Sequence, residues 1–398
     1  MRVALWSPRV GEGWVAALQP HLGSHLRLDL VSEEPRSAPA ADLHVYHVDD
    51  DPGHGFVYRA LLRRPGLVVL EEWGLHRLVH AETAGRGNDV EYRREARRGH
   101  GSLGGFVARQ VVGGYGHSLP AALLTMNDRV LDAGLGFVAT TEAVRARLAA
   151  RLPGCPVAHL PLAFQGPSPL APDNGARSAF GVSPGRLLVV AIQTAAADTP
   201  ATRVARALDE VREAEPRAAV RWVREDDPAL VARIAAADVV VALEHPPRAG
   251  LGAAVPLAVA GGKGPLVSAA SGAAREMPEG VVARVSPGPT EVVETVALVR
   301  RLLADQSLRS RMGRLARSYA AQRRDPEGTA RALLGLLQAI EPASEPAEQR
   351  IAARRAVEAG PAARALDEMT VAARELGLVD PPAGLAAIAS DLFGEGVS

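Results

Sequence analysis

The order of apolar and amphipathic segments constrains this chain more than any other feature. Short apolar runs, typical of buried strands, alternate with segments of helical period, and the alternation occurs twice along the 398 residues. Strands that alternate with helices build a parallel sheet covered on both faces. The sequence therefore predicts an α/β protein with two domains in tandem.

The two series of elements are separated by residues 165–185, which contain four prolines and four glycines and no long apolar face. The predicted strands are 2–6, 26–31, 43–48, 67–71, 136–140 and 157–160, then 187–192, 219–223, 238–243, 265–268 and 281–285. The predicted helices are 14–22, 55–64 and 141–151, then 201–214, 228–236, 253–260, 291–304, 308–323 and 327–340. We therefore expect domains at 1–164 and 186–340, a linker at 165–185 and a helical tail at 341–398.

Charge and composition exclude several classes of function. The 45 basic residues balance 45 acidic ones, which argues against a nucleic-acid-binding surface and gives no support for an anionic-membrane anchor. Cys155 is the single cysteine, so no internal disulfide is possible. The N-terminal apolar run is too short for a signal peptide, and no run approaches 18 apolar residues. These features predict a cytoplasmic protein without a transmembrane span.

Two motifs in the first half each allow two interpretations. Gly11 and Gly13 lie between a strand and a helix, where backbone amides can bind a phosphate, but Ala16 stands where a dinucleotide fingerprint has its third glycine. A tight turn is the alternative. Asp49, Asp50 and Asp51 could hold Mg²⁺ or Mn²⁺, or could bond to the backbone of the turn that follows. The turn is favoured in both cases.

Seven of the eleven histidines fall within a single stretch of the same half, at positions 44, 47, 54, 76, 80, 100 and 117. His54 lies in a loop after a predicted parallel strand, where open α/β sheets bind their ligands, so it is a candidate general base or hydrogen-bond donor. His76 and His80 share a helix face, but the sequence between them lacks the glutamate of a zinc-protease motif. For the others a structural role is favoured.

The second half carries two adjoining motifs. The strand ADVVVAL leads into Glu244, and the small-residue helix PLAVA leads into Gly262, Lys263 and another strand. Small residues allow such a helix to approach a ligand closely, and Lys263 is the only lysine of the chain. A helix end with a solvated charge is the alternative.

These segments resemble the retaining GT-B glycosyltransferases of family 4, also called group 1. The stretch ADVVVALEHPP…AVPLAVAGGKGPLVSAASGAAREMPEG is similar to their second domain. The stretch YHVDDDPGHGFVYRALLRRPGLVVLEEWGLHRLV resembles the first domain of a bacterial subset, which usually has His-Asp where this chain has Glu71 and Glu72. The resemblance covers about residues 1 to 340.

The resemblance implies two Rossmann-like domains that face a cleft, and transfer of a hexose from a nucleotide-diphosphate sugar to an unknown acceptor. It implies no obligatory metal or cofactor. The acceptor would be held by loops around Arg9, Gly11 and Gly13 and around 51–54, with His54 as the base. The donor would be held at the second domain. The donor-side candidates are Glu244 for a sugar or ribose hydroxyl, and Arg203, Arg248 and the Gly262–Lys263 turn for the diphosphate.

The donor-site motifs of the family are eroded in this chain. The family's Glu-x7-Glu pair is incomplete, because Glu244 fits its first position only on a shifted register and Leu257 stands at the second. After strand 187–192 there is no cation until Arg203, and the segment 222–238 is short. A degenerate pseudo-glycosyltransferase, acting as a scaffold with a protein partner at the 341–398 tail, is therefore the competing hypothesis. A sugar-nucleotide enzyme such as an epimerase is a third, on fold analogy alone.

Overall fold

The computed structural model describes residues 1–114, 123–165, 174–183, 185–194 and 202–340. They form two compact units. Among these residues, the first unit combines Met1–Leu160 with residues 326–340, and the second unit is Pro161–Asp325.

The first unit is built on a six-stranded parallel sheet in the order β2-β1-β3-β4-β5-β6. Its strands are β1 (Arg2–Trp6), β2 (Arg27–Val31), β3 (Leu43–Val48), β4 (Gly66–Leu70), β5 (Gly134–Ala139) and β6 (Val157–His159). The chain steps from β1 outward to β2 and then returns to β3 on the other side of β1. This reversal creates a crevice at the carboxyl ends of β1 and β3, where ligands of such sheets bind.

The helices of the first unit cover this sheet. They are α1 (Gly13–Gly23), α2 (Gly55–Arg63), α3 (His76–Glu82), α4 (Asp89–Val112), α5 (Asp128–Ala133) and α6 (Glu142–Arg151), with 3-10 turns at Pro52–His54 and Ala84–Arg86. All residues of β3 and β4 are buried. That is why β4 is a continuous apolar run and β3 is apolar apart from His44 and His47, without the alternation of a half-buried strand.

The second unit has a five-stranded parallel sheet in the order β11-β10-β9-β7-β8. Its strands are β7 (Leu187–Gln193), β8 (Ala218–Arg224), β9 (Val239–Ala242), β10 (Leu266–Ser268) and β11 (Ala283–Val285). Its helices are α7 (Asn174–Ala179), α8 (Thr202–Ala214), α9 (Leu230–Ala236), α10 (Ala254–Ala260), α11 (Gly272–Glu276), α12 (Glu291–Ala304) and α13 (Gln306–Arg323), with a 3-10 turn at Leu162–Phe164.

The central strand β7 shows how both faces of this sheet are filled. Leu188 and Val190 pack in one apolar cluster with α9 and α10. Val189 and Ala191 pack in a second cluster with α8 and α12. Alternate side chains of one strand thus enter opposite cores, as expected for a sheet with helices on both sides.

The unit boundaries differ from the predicted domain boundaries. The last described helix, α14 (Pro326–Ala339), was predicted to belong to the second domain, but it packs on α1 in the first unit. Its buried residues include Leu333 and Leu337, and Ile340 lies against Gly136 of β5. Because α14 buries its apolar face against the first sheet's helices, it belongs to that unit.

The predicted linker also differs in part. Arg177, in α7, bonds to the Ala236 and Arg186 carbonyls and to Asp238, so this portion of 165–185 is an integral part of the second unit. The Gln165 side chain bonds to both Arg323 and Asp325 and so fixes the end of α13. Residues 166–173 and the 341–398 tail lie outside the described residues.

The predicted strands are confirmed to within two residues at each end. The predicted helices are confirmed as well, with small shifts at their ends. None of the helices in the described ranges combines the length and apolarity that a membrane span requires.

Candidate functional site

Two loops predicted to hold a substrate lie side by side in the first unit. The Arg9 loop follows β1 and the Asp51 loop follows β3, and β1 and β3 are neighbours in the sheet. The Arg9 guanidinium lies 3.3 Å from the Asp51 carboxylate, and both side chains are about half exposed. Such a pair contributes little to stability, but it shows that the two loops meet at the crevice.

The glycines of the first loop have the geometry of a tight turn. Gly13 begins α1 with φ +56°, a left-handed conformation that favours glycine. Gly11 has open space where a side chain would stand. The turn interpretation accounts for Gly13, and both residues leave the crevice unobstructed.

His54 is almost fully buried beneath these loops, with 1% of its surface exposed. Its Nδ1 donates to the His47 carbonyl oxygen at 2.8 Å. Burial, together with the neighbouring His47 ring, lowers the pKa of His54 to about 4. The ring is therefore neutral at pH 7, and Nε2 keeps its lone pair, which makes His54 a hydrogen-bond acceptor of low basicity.

A hydrogen-bonded chain that the sequence did not reveal runs across the ends of three strands. Ser7 Oγ lies 2.9 Å from His47 Nδ1, and His47 Nε2 lies 2.8 Å from Glu71 Oε1. A carboxylate can only accept, so His47 Nε2–H donates to Glu71, and in the neutral ring Nδ1 accepts from the Ser7 hydroxyl. The signal that could have found this chain is the adjacency of β1, β3 and β4.

The electrostatics of Glu71 follow from these neighbours. Burial would raise the pKa of this carboxyl, but the His47 and His54 rings and Arg9 outweigh burial and hold the pKa below its usual range. The side chain is one-third exposed. The crevice therefore presents an ionised carboxylate to solvent at pH 7.

The three aspartates after β3 serve the backbone. Asp49 accepts from the Asp50 amide and Asp51 from the Gly53 amide, both at 2.8 Å. Asp50 accepts from the Arg77 and Leu78 amides and so caps α3. These contacts support the turn interpretation, and the described residues contain no cluster of three histidine, cysteine or acidic side chains suited to a metal.

The other described histidines between positions 44 and 100 have structural partners. His44 accepts from the Trp6 indole, and the His76 ring stacks on His80 and bonds to the Tyr92 hydroxyl. Burial lowers the pKa of His76 to about 3. The Thr125 amide donates to His100. His117 lies outside the described residues.

In the second unit, Glu244 and Arg248 come together at the carboxyl edge of the sheet. Glu244 Oε2 lies 3.4 Å from Arg248 Nε, and Glu225, which follows β8, binds Arg248 Nη2 at 2.6 Å and the Ala253 amide at 2.7 Å. Gly252 has φ +61°, and a Cβ there would lie 2.4 Å from Glu225. The sequence did not predict Glu225, because it lies 19 residues before Glu244 on another strand.

Arg203 lies in a second charged group at the same edge. Its guanidinium is 3.6 Å from the carboxylate of Glu291, whose other oxygen is 2.7 Å from His245 Nε2. Glu291 is 1% exposed, whereas the Arg203 side chain is half exposed. Glu291 thus ties the residue that follows Glu244 to the first turn of α8. Most of the loop between β7 and α8, residues 195–201, lies outside the described residues.

Lys263 and Gly262 are at the opposite edge of the sheet, and this placement corrects their predicted role in donor binding. Lys263 Nζ donates to the Ala237 carbonyl oxygen at 2.5 Å, just before β9 begins. Burial lowers the pKa of Lys263. Gly262 has φ +71°, and a Cβ there would meet Arg317. Both residues form the turn into β10, and the local motif could not reveal which edge that turn occupies.

This placement predicts that Lys263→Met leaves nucleotide affinity unchanged. The substitution removes the bond to Ala237 but also removes a desolvated ammonium, so we expect the free energy of unfolding to change by no more than about 1 kcal/mol. Calorimetric titration with UDP and denaturant unfolding measure the two quantities. A clear fall in UDP affinity in this variant would return Lys263 to the donor site.

Comparison with known proteins places the fold. No protein-family model matches the chain and no curated protein matches its sequence. Among solved structures, Anabaena HepE in complex with UDP and glucose is similar with a TM-score of 0.50 and 14% identity, covering 85% of this chain and 100% of that one. Sucrose-phosphate synthase from Thermosynechococcus elongatus is similar with a TM-score of 0.49 and 12% identity, covering 85% of this chain and 98% of that one. WaaG, a glycosyltransferase involved in lipopolysaccharide biosynthesis, has a TM-score of 0.45 and 13% identity, covering 85% of this chain and 99% of that one.

At these identities the likeness shows the fold alone. Together with the two parallel sheets flanked by helices, it confirms the predicted fold class: α/β, with two Rossmann-like units of the GT-B type. Membership of family 4 stays a prediction.

Proposed function

We propose that this protein is a glycosyltransferase that moves a sugar from a nucleotide-diphosphate donor to a hydroxyl group of an acceptor. One observation carries the proposal. The fold matches, over 85% of the chain, that of a protein crystallised with UDP and glucose. The two charged groups at the carboxyl edge of the second sheet support it, because ligands of parallel α/β sheets bind at that edge.

The donor side of the proposal uses three residues at that edge. Arg248 and Arg203 are the cations available to the leaving diphosphate, whose developing charge must be stabilised during transfer. Glu244 accepts from a hydroxyl of the sugar or ribose. Transfer of a hexose with retention, as in the family 4 enzymes that the sequence resembles, is the finer form of the proposal.

The acceptor side uses the crevice of the first unit. The Arg9 and Asp51 loops flank the opening, and Gly11 and Gly13 leave room for a ligand beside the start of α1. His54 is 1% exposed and of low basicity, so in this proposal it lines the site from beneath and does not act as a strong base. No metal or cofactor enters the proposal.

The surroundings of Arg248 favour the pseudo-glycosyltransferase alternative. Arg248 lies between Glu225 and Glu244, so two carboxylates face one guanidinium at the proposed diphosphate site. An incoming diphosphate must compete with these carboxylates. The comparisons give the alternative no support, and nucleotide binding distinguishes the two.

Calorimetric titration with UDP and GDP tests the proposal. The wild-type protein is expected to bind at least one of them, and Arg248→Gln is expected to weaken binding roughly tenfold or more through loss of a charge-assisted hydrogen bond. Arg212→Gln is the matched control, because Arg212 is an exposed arginine on α8 that pairs with Asp209. If neither nucleotide binds at millimolar concentration, the transferase proposal fails and the pseudoenzyme hypothesis is favoured.

A further inference from the structure

The chain of Ser7, His47 and Glu71 is built differently from an ordinary buried polar network. Ser7 is fully buried and His47 is 4% exposed, yet the chain ends in a carboxylate that is one-third exposed at the crevice. Burying a polar group costs free energy unless it is hydrogen-bonded, so a buried Ser7–His47 pair is a candidate for a functional role. Here the buried pair ends on a solvent-facing group.

The buried pair fixes the orientation of that carboxylate. Ser7 Oγ accepts from the Arg9 amide at 3.1 Å and lies 2.9 Å from His47 Nδ1. Because the Glu71 carboxylate can only accept, Nε2 of the neutral His47 ring carries the hydrogen and Nδ1 accepts from the Ser7 hydroxyl. This sets the tautomer in which Nε2–H holds Glu71 Oε1. The second oxygen, Oε2, has no hydrogen-bond partner within the described part of the chain, so it is the atom that can accept a hydrogen bond from a ligand.

Charges around the crevice define the ligand that fits. Arg9, the cation whose charge acts on Glu71, already faces Asp51. Glu71 and Asp51 therefore outnumber it, and the His54 ring is neutral at pH 7. Such a site repels an anion and accepts hydrogen bonds from neutral hydroxyl groups.

We propose that Glu71 binds a hydroxyl group of the acceptor, that His47 is its positioning residue, and that the site selects an uncharged, hydroxyl-rich, sugar-like compound. That this compound is an acceptor rests on the proposed function. Binding of an uncharged sugar at Glu71 does not depend on it.

The probes are D-glucose and its anionic match, D-glucuronate, titrated into the full-length protein with and without UDP and followed by ligand-observed NMR. Glucose is expected to bind several-fold more tightly than glucuronate. Glu71→Gln keeps the shape of the side chain and an oxygen that accepts from His47. It is expected to lower the affinity for glucose roughly tenfold and to abolish the discrimination against glucuronate. Glu213→Gln, an exposed glutamate on α8, is the matched control.

The positioning role of His47 has its own variants. His47→Leu is expected to weaken glucose binding as much as Glu71→Gln does. His47→Gln retains an N–H donor, so it is expected to keep much of the wild-type affinity for glucose. A purely structural role would change the stability of both variants without changing the preference for glucose over glucuronate. UDP titration of each variant reports whether the fold and the nucleotide site are intact.

The outcomes separate this inference from the proposed function. If UDP binds and the Glu71 variant has the wild-type affinities for glucose and glucuronate, the inference is overturned and the transferase proposal stands. If UDP does not bind while glucose binding depends on Glu71, the transferase proposal fails and the sugar site stands. If the wild type binds no glucose at high millimolar concentration, or prefers glucuronate, the inference is overturned.

Discussion

Replacing Gly272 by alanine is expected to lower the free energy of unfolding by about 3 kcal/mol. Gly272 begins α11 and donates its amide to the Arg248 carbonyl at 2.7 Å. A Cβ there would lie 1.9 Å from the Ala249 carbonyl oxygen, which belongs to the backbone and cannot move alone. The added methyl group must push the Arg248 loop away from α11, so we expect nucleotide binding to weaken as well.

Gly335→Ala is the matched control for this substitution. Gly335 lies in the middle of α14, and nothing stands within 4 Å of the place where its Cβ would be. Alanine is favoured over glycine inside a helix by about 0.5–1 kcal/mol, so this variant should be slightly more stable than wild type. Denaturant unfolding measures both. If the two variants were equally stable, α11 would not pack as closely on the Arg248 loop as the structure shows.

Acidification is expected to cost the first unit about 2 kcal/mol between pH 7 and pH 5 through His76 alone. Burial, with His80 and His100 nearby, lowers the pKa of this ring to about 3 in the folded chain, against 6.5 for an unperturbed histidine. Between these two values the unfolded chain binds a proton that the folded chain excludes. Stability contributed by the neutral ring is therefore fully present above pH 6.5 and is lost as the pH falls toward 3.

The measurement compares wild type with His76→Gln by urea unfolding at both pH values. Glutamine does not titrate and can still reach the Tyr92 hydroxyl, so the difference in unfolding free energy between the two proteins should change by about 2 kcal/mol. Three of the four tryptophans, Trp6, Trp14 and Trp73, lie in the first unit, so fluorescence reports mainly on it. A difference that is the same at both pH values would mean that His76 is not buried in the neutral form.

The sequence predicted the strands because each has a local signature. The segment 43–48 is an apolar run bounded by Asp42 and Asp49, and the structure places β3 on the same residues. Helix α4 was not predicted, since its sequence contains Gly99, Gly101, Gly104 and Gly105. The structure accommodates these with a kink, where Gly101 has φ +59°. Local propensity argues against such a helix, and only packing reveals it.

The candidate site was predictable where a residue's position along a strand decides its place. His54 and Glu244 both follow strands, so both were expected at a carboxyl edge. Glu71 and Glu225 also follow strands, but their importance depends on which strands are neighbours, and strand order is a long-range property. Lys263 was misassigned because its motif marks a turn without indicating the edge of the sheet.

Release of the nucleoside diphosphate from a sugar nucleotide tests the central claim most directly. The protein would be incubated with UDP-glucose, GDP-mannose and related donors, with a panel of uncharged sugars as acceptors, and free UDP or GDP measured against Glu244→Gln. We predict release from at least one donor, a rise in its rate with an uncharged sugar, and a large loss of rate in the variant. No release from any donor, in a protein that unfolds cooperatively, would contradict the proposal that this chain is a glycosyltransferase.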